Sequence, residues 1–294
     1  MKFLYEEMTW AETDAAAAAG AVAVIPFGTT EQHGPHLPLM VDYLCASSVG
    51  KAAVERVCAA QPDQAAPPRA VLLHPVVYSF NEHHMDLPGT IAISADTIIK
   101  YMVDIGRSLA HHGFQRIIIL NGHGSNMPFT DVSARLITNQ TPSICCGLAW
   151  WSLLDEQDLA WRESEWPGGF SHACELETSM VLHLRPDLVD MSKAVRTMDE
   201  VQRSPHIFWE LQRGAPVFFQ EWWSRNGVTG VQGDATLATA EKGRIVFEAA
   251  VRKLAGFIEE FAAREIRPRQ DVHTAKQADG RRRWWLSDAG APLG

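Results

Sequence analysis

AVAVIPF at residues 21–27, followed without a break by GTTEQHGPHLPLMVD at residues 28–42, decides how the chain is read. The first seven residues are continuous in small and β-branched apolar side chains and stop at Gly28, the pattern of a strand buried on both faces. Such a strand belongs in the middle of a sheet covered by helices. The stretch that follows places Glu31, His33, His36 and Asp42 in a span of twelve residues just after the strand's end. In α/β folds that is where functional groups collect, on the loops leaving the carboxyl ends of the strands.

Outward from this segment, apolar spacing predicts a helix over 43–60 and a strand in VLLHPVVYS at 71–79. A second helix, over 94–112, opens on a capping Ser94 and closes at Gly113. RIIIL at 116–120 is the next strand and runs into NGHGSN; a helix over 128–139, a strand in SICCGLAWW at 143–151 and a helix over 175–184 follow. A long amphipathic helix, 236–264, ends the series. Strand and helix alternate, which predicts an α/β fold with a mainly parallel sheet and helices on both faces. Residues 1–266 read as one domain. The Arg- and Pro-rich stretch 267–294, with Trp284 and Trp285, has no periodicity and reads as a tail or an arm.

Composition narrows the function. Of 294 residues, 46% are hydrophobic and 21% charged, an ordinary globular balance. The formal charge of −9 offers no general attraction to phosphate backbones, so nucleic acid is not expected as a partner. The apolar run 15–27 is shorter than the ~18 residues that mark a membrane span and follows Glu6, Glu7, Glu12 and Asp14, where a secretory signal would carry positive charge. No membrane association is expected. Five irregularly spaced cysteines read as reduced thiols of a cytoplasmic protein.

Twelve histidines are more than a core needs, and their positions point to chemistry. Glu31 and His33 lie two apart, so in an extended segment both side chains face one side and each can serve one of two adjacent metals. Asp42 has two oxygens and suits a bridge between them. Carboxylates mixed with imidazoles favour zinc, manganese or iron over calcium. His123 stands between two glycines at a strand end, and His172, Glu175 and Glu177 open a helix, where acids also suit the positive end of the dipole. Taken singly, each of these is as readily a loop residue or a helix-terminal acid. Their clustering after strands is what argues for a site.

Five motifs together resemble the creatininase, or creatinine amidohydrolase, family of metal-dependent hydrolases. They are E-Q-H-G-P-H-L-P-x-x-x-D at 31–42, L-P-G-T at 87–90, N-G-H-G-x-N at 121–126, H-A-x-E-x-E-T-S at 172–179 and G-D-x-x-x-A-T-A-E-K-G at 233–243. The resemblance implies a three-layer α/β/α fold with two divalent metal ions per chain, zinc, manganese or iron, at the carboxyl edge of the sheet. Glu31 and His123 are then ligands of one metal, His33 of the other, and Asp42 the bridge. Creatininase itself has a Glu ligand where this chain has Ser125, and Glu177 of the E-T-S motif takes its place here. That departure argues against creatinine as the substrate. His172 corresponds to the catalytic histidine that moves a proton, and His36 shapes the loop or orients a ligand from behind. Family members are commonly hexamers, so a homo-oligomer is expected.

His84, Ser125, Trp151, Trp166 and Glu175 are the candidate substrate contacts, because aromatic walls stack on small rings and exclude water. The expected reaction is hydrolysis of a small cyclic or formylated amide. Two alternatives stay open: hydrolysis of a C–C bond in a cyclic polyol ketone such as an oxidised inositol, and a non-catalytic metal-containing binding protein.

Overall fold

The opening strand, β1 (Val22–Phe27), is buried along its whole length, and its alternate residues feed two cores. Val22 and Val24 join one cluster, while Ala23, Ile25 and Phe27 join the other. The period-2 geometry of a strand produces this division, and β3 (Arg116–Asn121) repeats it with Ile118 and Leu120 against Ile117 and Ile119. In this computed structural model, which describes residues 1–198, 204–270 and 272, the two strands pair in parallel. β2 (Ala70–Leu72) and β4 (Ile144–Ala149) complete a four-stranded parallel sheet in the order β2-β1-β3-β4.

Helices α1 (Trp10–Ala18), α3 (Ala95–His111) and α4 (Met127–Gln140) cover the face fed by Ile25 and Ile119. The other face is covered by α2 (Val41–Ala59), α5 (Glu175–Leu184) and α6 (Ala240–Ala263). The result is the α/β fold with helices on both sides of a parallel sheet. A small antiparallel sheet, β5 (Phe170–His172), β6 (Arg196–Thr197) and β7 (Gln232–Asp234), in the order β5-β7-β6, carries His172.

Several elements differ from the spacing-based expectation. The strand expected over 71–79 pairs only through Ala70–Leu72, because Pro75 cannot donate to a ladder; beyond it Val76 and Ser79 make single bridges to Phe27 and Ala92. This early end accommodates Pro26 inside β1. Its carbonyl accepts from Val76 N at 2.9 Å, so its missing N–H faces the side where β2 has already stopped. Trp150 and Trp151, read as the end of a strand, form a 3₁₀ turn with Ser152 and Leu153. α6 begins at Ala240 rather than 236, where the Thr239 side chain accepts from Lys242 N.

Met1–Arg264 is one compact unit, and the described residues from Glu265 on fall outside it. Trp284 and Trp285 of the expected tail lie outside the described residues. Among the described residues no helix is long and apolar enough to cross a membrane. All five cysteines are free.

Candidate metal centre and cleft

α2 starts at Val41, so Asp42 sits in its first turn rather than in the preceding loop. Two glycines let that turn approach the strand ends. A Cβ on Gly28, just after β1, would run into the Tyr43 backbone, and one on Gly122, just after β3, would run into the Asp42 carbonyl. The close approach puts the Asp42 carboxylate beside groups from both strand ends: Oδ1 is 3.3 Å from His33 Nε2, and Oδ2 is 3.3 Å from His123 Nδ1. Gly122→Ala is therefore expected to push α2 away from the sheet edge. We predict a lower melting temperature, by a free energy of about 1–3 kcal/mol, together with weakened metal uptake; a variant that melts and binds metal like the parent would refute this account.

Glu31 lies at the centre of the cluster. Its Oε2 is 3.0 Å from His123 Nδ1, and its Oε1 is 3.1 Å from His84 Nε2 and 3.4 Å from His172 Nε2. Two triads with the spacing of metal ligands share Asp42: Glu31–Asp42–His123 and His33–Asp42–Glu177. A third grouping, Glu31–His33–His172, overlaps them. Glu177 comes from the first turn of α5, and its Oε2 accepts from Ala173 N at 2.6 Å. Ala173 has a φ of 50°, a conformation costly for a residue with a Cβ. This backbone turn separates inward-facing His172 from the N–H that holds Glu177.

The donors fit divalent cations. Glu31 Oε1, His33 Nε2 and Asp42 Oδ2 are buried and make no well-formed hydrogen bond, their contacts of 3.1–3.4 Å being with the cluster's own imidazoles and carboxylates. Buried polar atoms in folded proteins nearly always have partners, and these three come from three of the candidate ligands. Two imidazoles and three carboxylates suit zinc, manganese or iron. Burial and the carboxylates of Asp42 and Glu177 push Glu31 well above the ordinary carboxyl range. Burial raises Glu177 to about 7, with Asp42 adding to the rise and His33 opposing it. Burial opposes the charge on His33, yet Asp42 and Glu177 raise it to about 9. Burial would also raise Asp42, but His33 and His123 hold it well below the usual value. Like-charged carboxylates packed in this way favour a bound cation.

Several supporting residues were not singled out from sequence. Gln32 Nε2 donates to the Gly230 carbonyl at 3.2 Å and lies 2.9 Å from His84 Nδ1 and 3.1 Å from His172 Nε2. The Asn81 amide stands 2.7 Å from Glu31 Oε2 and 3.0 Å from His123 Nε2, orienting that ring from behind. His83 Nε2 is 2.8 Å from Ser125 Oγ. Gln32 lies inside the E-Q-H-G motif and was legible there; Asn81 had no local signal. His36 is outside the cluster, its Nε2 2.9 Å from Thr178 Oγ1.

A cleft of ≈ 200 Å³ opens above the cluster. Asp42, His84, His123, Ser125, His172 and Glu177 line it, together with residues of the segment 208–223. Three expected substrate contacts do not line it. Trp151 is buried in the core against Trp150, with ring centroids 5.4 Å apart. Trp166 packs on Phe208 and lies under the Arg162 guanidinium. Glu175 is a buried counter-ion: its Oε1 is 2.5 Å from Lys242 Nζ and its Oε2 accepts from Ser164 N at 2.9 Å. An ion pair so engaged leaves no lone pair directed at a substrate.

A family model described as creatininase, creatinine amidohydrolase, matches residues 6–258. The chain is 32% identical over 229 residues to a mycofactocin precursor peptide peptidase of Mycobacterium tuberculosis, covering 78% of this chain and 80% of the relative. It is 29% identical over 274 residues to creatinine amidohydrolase of Pseudomonas putida (86% and 95%) and 27% identical over 243 residues to 3-dehydro-scyllo-inosose hydrolase of Thermotoga maritima (77% and 73%). Among solved structures, a manganese creatininase superposes with a TM-score of 0.72 at 26% identity, over 89% of this chain and 99% of that one. A Zn-Zn mutant creatininase gives 0.71 at 27% over the same shares. With two triads sharing one carboxylate at the sheet edge and the match running from residue 6 to residue 258, this chain belongs to the creatininase family of hydrolases.

Proposed function

We propose that the chain is a dinuclear metal-dependent hydrolase of a small cyclic or formylated amide, cleaving a C–N bond. The observation that carries this reading is the set of three buried atoms on Glu31, His33 and Asp42 that make no well-formed hydrogen bond, in two triads that share Asp42. Glu31, Asp42 and His123 would hold one cation, and His33, Asp42 and Glu177 the other. Bound there, the pair would supply Lewis acidity, activating a water and polarising the amide carbonyl.

The protein's own groups then manage orientation and protons. Burial and the neighbouring His33 hold His172 well below the ordinary imidazole value, so it enters the reaction neutral. In that state it accepts the proton released as water adds to the carbonyl, and afterwards delivers it to the leaving nitrogen. Its Nε2–H donates to the Gln32 carbonyl at 2.8 Å, which fixes the ring and leaves Nδ1 as the atom that takes up and returns the proton. His84 and Ser125 face the cleft as substrate contacts, His84 held by Gln32 and Ser125 by His83. Assembly into homo-oligomers, hexamers on the family resemblance, and a cytoplasmic location belong to the same proposal, with sedimentation equilibrium measuring the first.

Metal uptake tests the reading without a substrate. His33 must be neutral and Glu177 ionised to bind a cation, yet the metal-free cluster raises them to about 9 and about 7. Cation binding therefore releases protons, and raising the pH removes competitors. Apparent affinity for Mn²⁺ or Zn²⁺ should climb from pH 6 towards pH 9 and level off beyond, with about one proton or more released per chain near pH 7. Calorimetry in buffers of different ionisation enthalpy reads both quantities. Uptake of no metal, or uptake with a flat pH profile, would overturn the proposal.

A further inference from the structure

The cleft joins two chemistries. Its floor holds Asp42, Glu177, His84, His123 and His172, all buried, whereas its outer wall is the segment 208–223. That wall presents Phe208, Leu211, Val217, Phe218 and Phe219, with Trp223 stacked between Trp209 at 4.8 Å and His84 at 4.5 Å. Among the described residues neither Lys nor Arg lines the cleft. Phe218 is 89% exposed and Val217 47%, an apolar mouth that gains free energy only when something covers it.

The acid in the wall is already engaged. Glu210 Oε2 lies 2.9 Å from Arg162 Nη2 and accepts from Gly168 N at 3.0 Å, while its Oε1 accepts from Arg162 Nη1 at 3.3 Å. The Glu210 side chain has no exposure, and the Arg162 guanidinium lies over the Phe170 ring at 4.1 Å. Leu211 N donates to the Phe170 carbonyl at 2.7 Å, so the wall is pinned at consecutive residues and is preformed. An anionic group resting on it finds no counter-charge, and a polyol finds few partners for its hydroxyls.

We infer that the segment 208–223 forms a subsite for an uncharged aryl or arylalkyl substituent on the scissile amide. This inference rests on the amide-hydrolase reading for the position of that amide, at the floor between the metal cluster and His172. The substituent lies outward against Phe208, Phe218 and Phe219, where a flat ring covers the exposed edge and extends the Trp209–Trp223–His84 stack.

The test uses three probes, N-benzylformamide, N-(4-carboxybenzyl)formamide and N-methylformamide, with the chain in excess Zn²⁺, which is diamagnetic. Saturation-transfer NMR titrations read binding, and formate release reads turnover separately. N-benzylformamide should bind about tenfold more tightly than either of the others, the amount expected for burying most of a phenyl ring. Phe218→Ala, a change at an exposed position, should weaken that probe by about three- to tenfold and leave N-methylformamide unchanged. Equal binding of the three probes, or benzyl affinity unmoved by both Phe218→Ala and Phe208→Ala, overturns the subsite. So does a Phe218→Ala variant that changes only sedimentation, because the exposed ring then belongs to a contact between copies. If the benzyl preference appears but no formamide is hydrolysed, the amide reading fails and the subsite stands; hydrolysis indifferent to the substituent gives the reverse.

Discussion

Asp42→Ala is expected to weaken both cation positions together and to abolish turnover. The reason is geometric: one carboxylate faces His123 through Oδ2 and His33 through Oδ1, at 3.3 Å each, and belongs to both triads. Even residues that merely orient a ligand are worth about 10–100-fold in metal affinity, so loss of a shared ligand should cost more than about 10²-fold at each position. Glu177→Gln provides the contrast. Glu177 belongs to one triad only, so this change should deplete one cation and spare the other. Elemental analysis and calorimetric titration with Mn²⁺ separate the cases. An Asp42→Ala chain that keeps one cation at parental affinity would show that Asp42 does not bridge.

The second large effect concerns His172. Its Nε2 is 3.4 Å from Glu31 Oε1, close enough for the Glu31–His33–His172 grouping to compete as a ligand set. The two roles predict opposite results. If His172 transfers protons, His172→Ala keeps both cations and nearly the parental KM, while kcat falls by about 10²–10⁴. A substrate with a good leaving group should recover much of the loss, because its departure needs no proton. If His172 is a ligand, the variant loses metal and no leaving group restores it. Metal content measured beside kcat for poor and good leaving groups decides between them.

Some elements were readable because their signal is local. α5 spans Glu175–Leu184, the bounds its apolar spacing predicts, and the Ile-rich run after Arg116 needs no distant partner to read as a strand. The region 71–79 reads as a longer strand than it forms, because β propensity does not register that Pro75 interrupts pairing. As acids opening one helix Glu175 and Glu177 are alike in spacing and periodicity, and only the E-T-S motif of the family resemblance sets Glu177 apart as a ligand. Lys242, arriving from α6 sixty-seven residues later, takes Glu175, while Ala173 N turns Glu177 towards the cluster. The cleft wall had no signal beyond its aromatic content, since it forms no periodic element. Arg162 and Glu210, which pin it, are forty-eight residues apart.

The sequence by itself determined the parallel α/β frame, the family and the residue types at the strand ends. Those depend on short-range periodicity and on motifs contiguous in the chain. Only the tertiary structure decided that Glu175 is a buried counter-ion, which tryptophans are core and what lines the cleft. Each outcome depends on a long-range competition for one carboxylate or one ring: Lys242 against a substrate for Glu175, and the core against the cleft for Trp151. Burial and pairing settle such competitions, and both come into being only when the layers close.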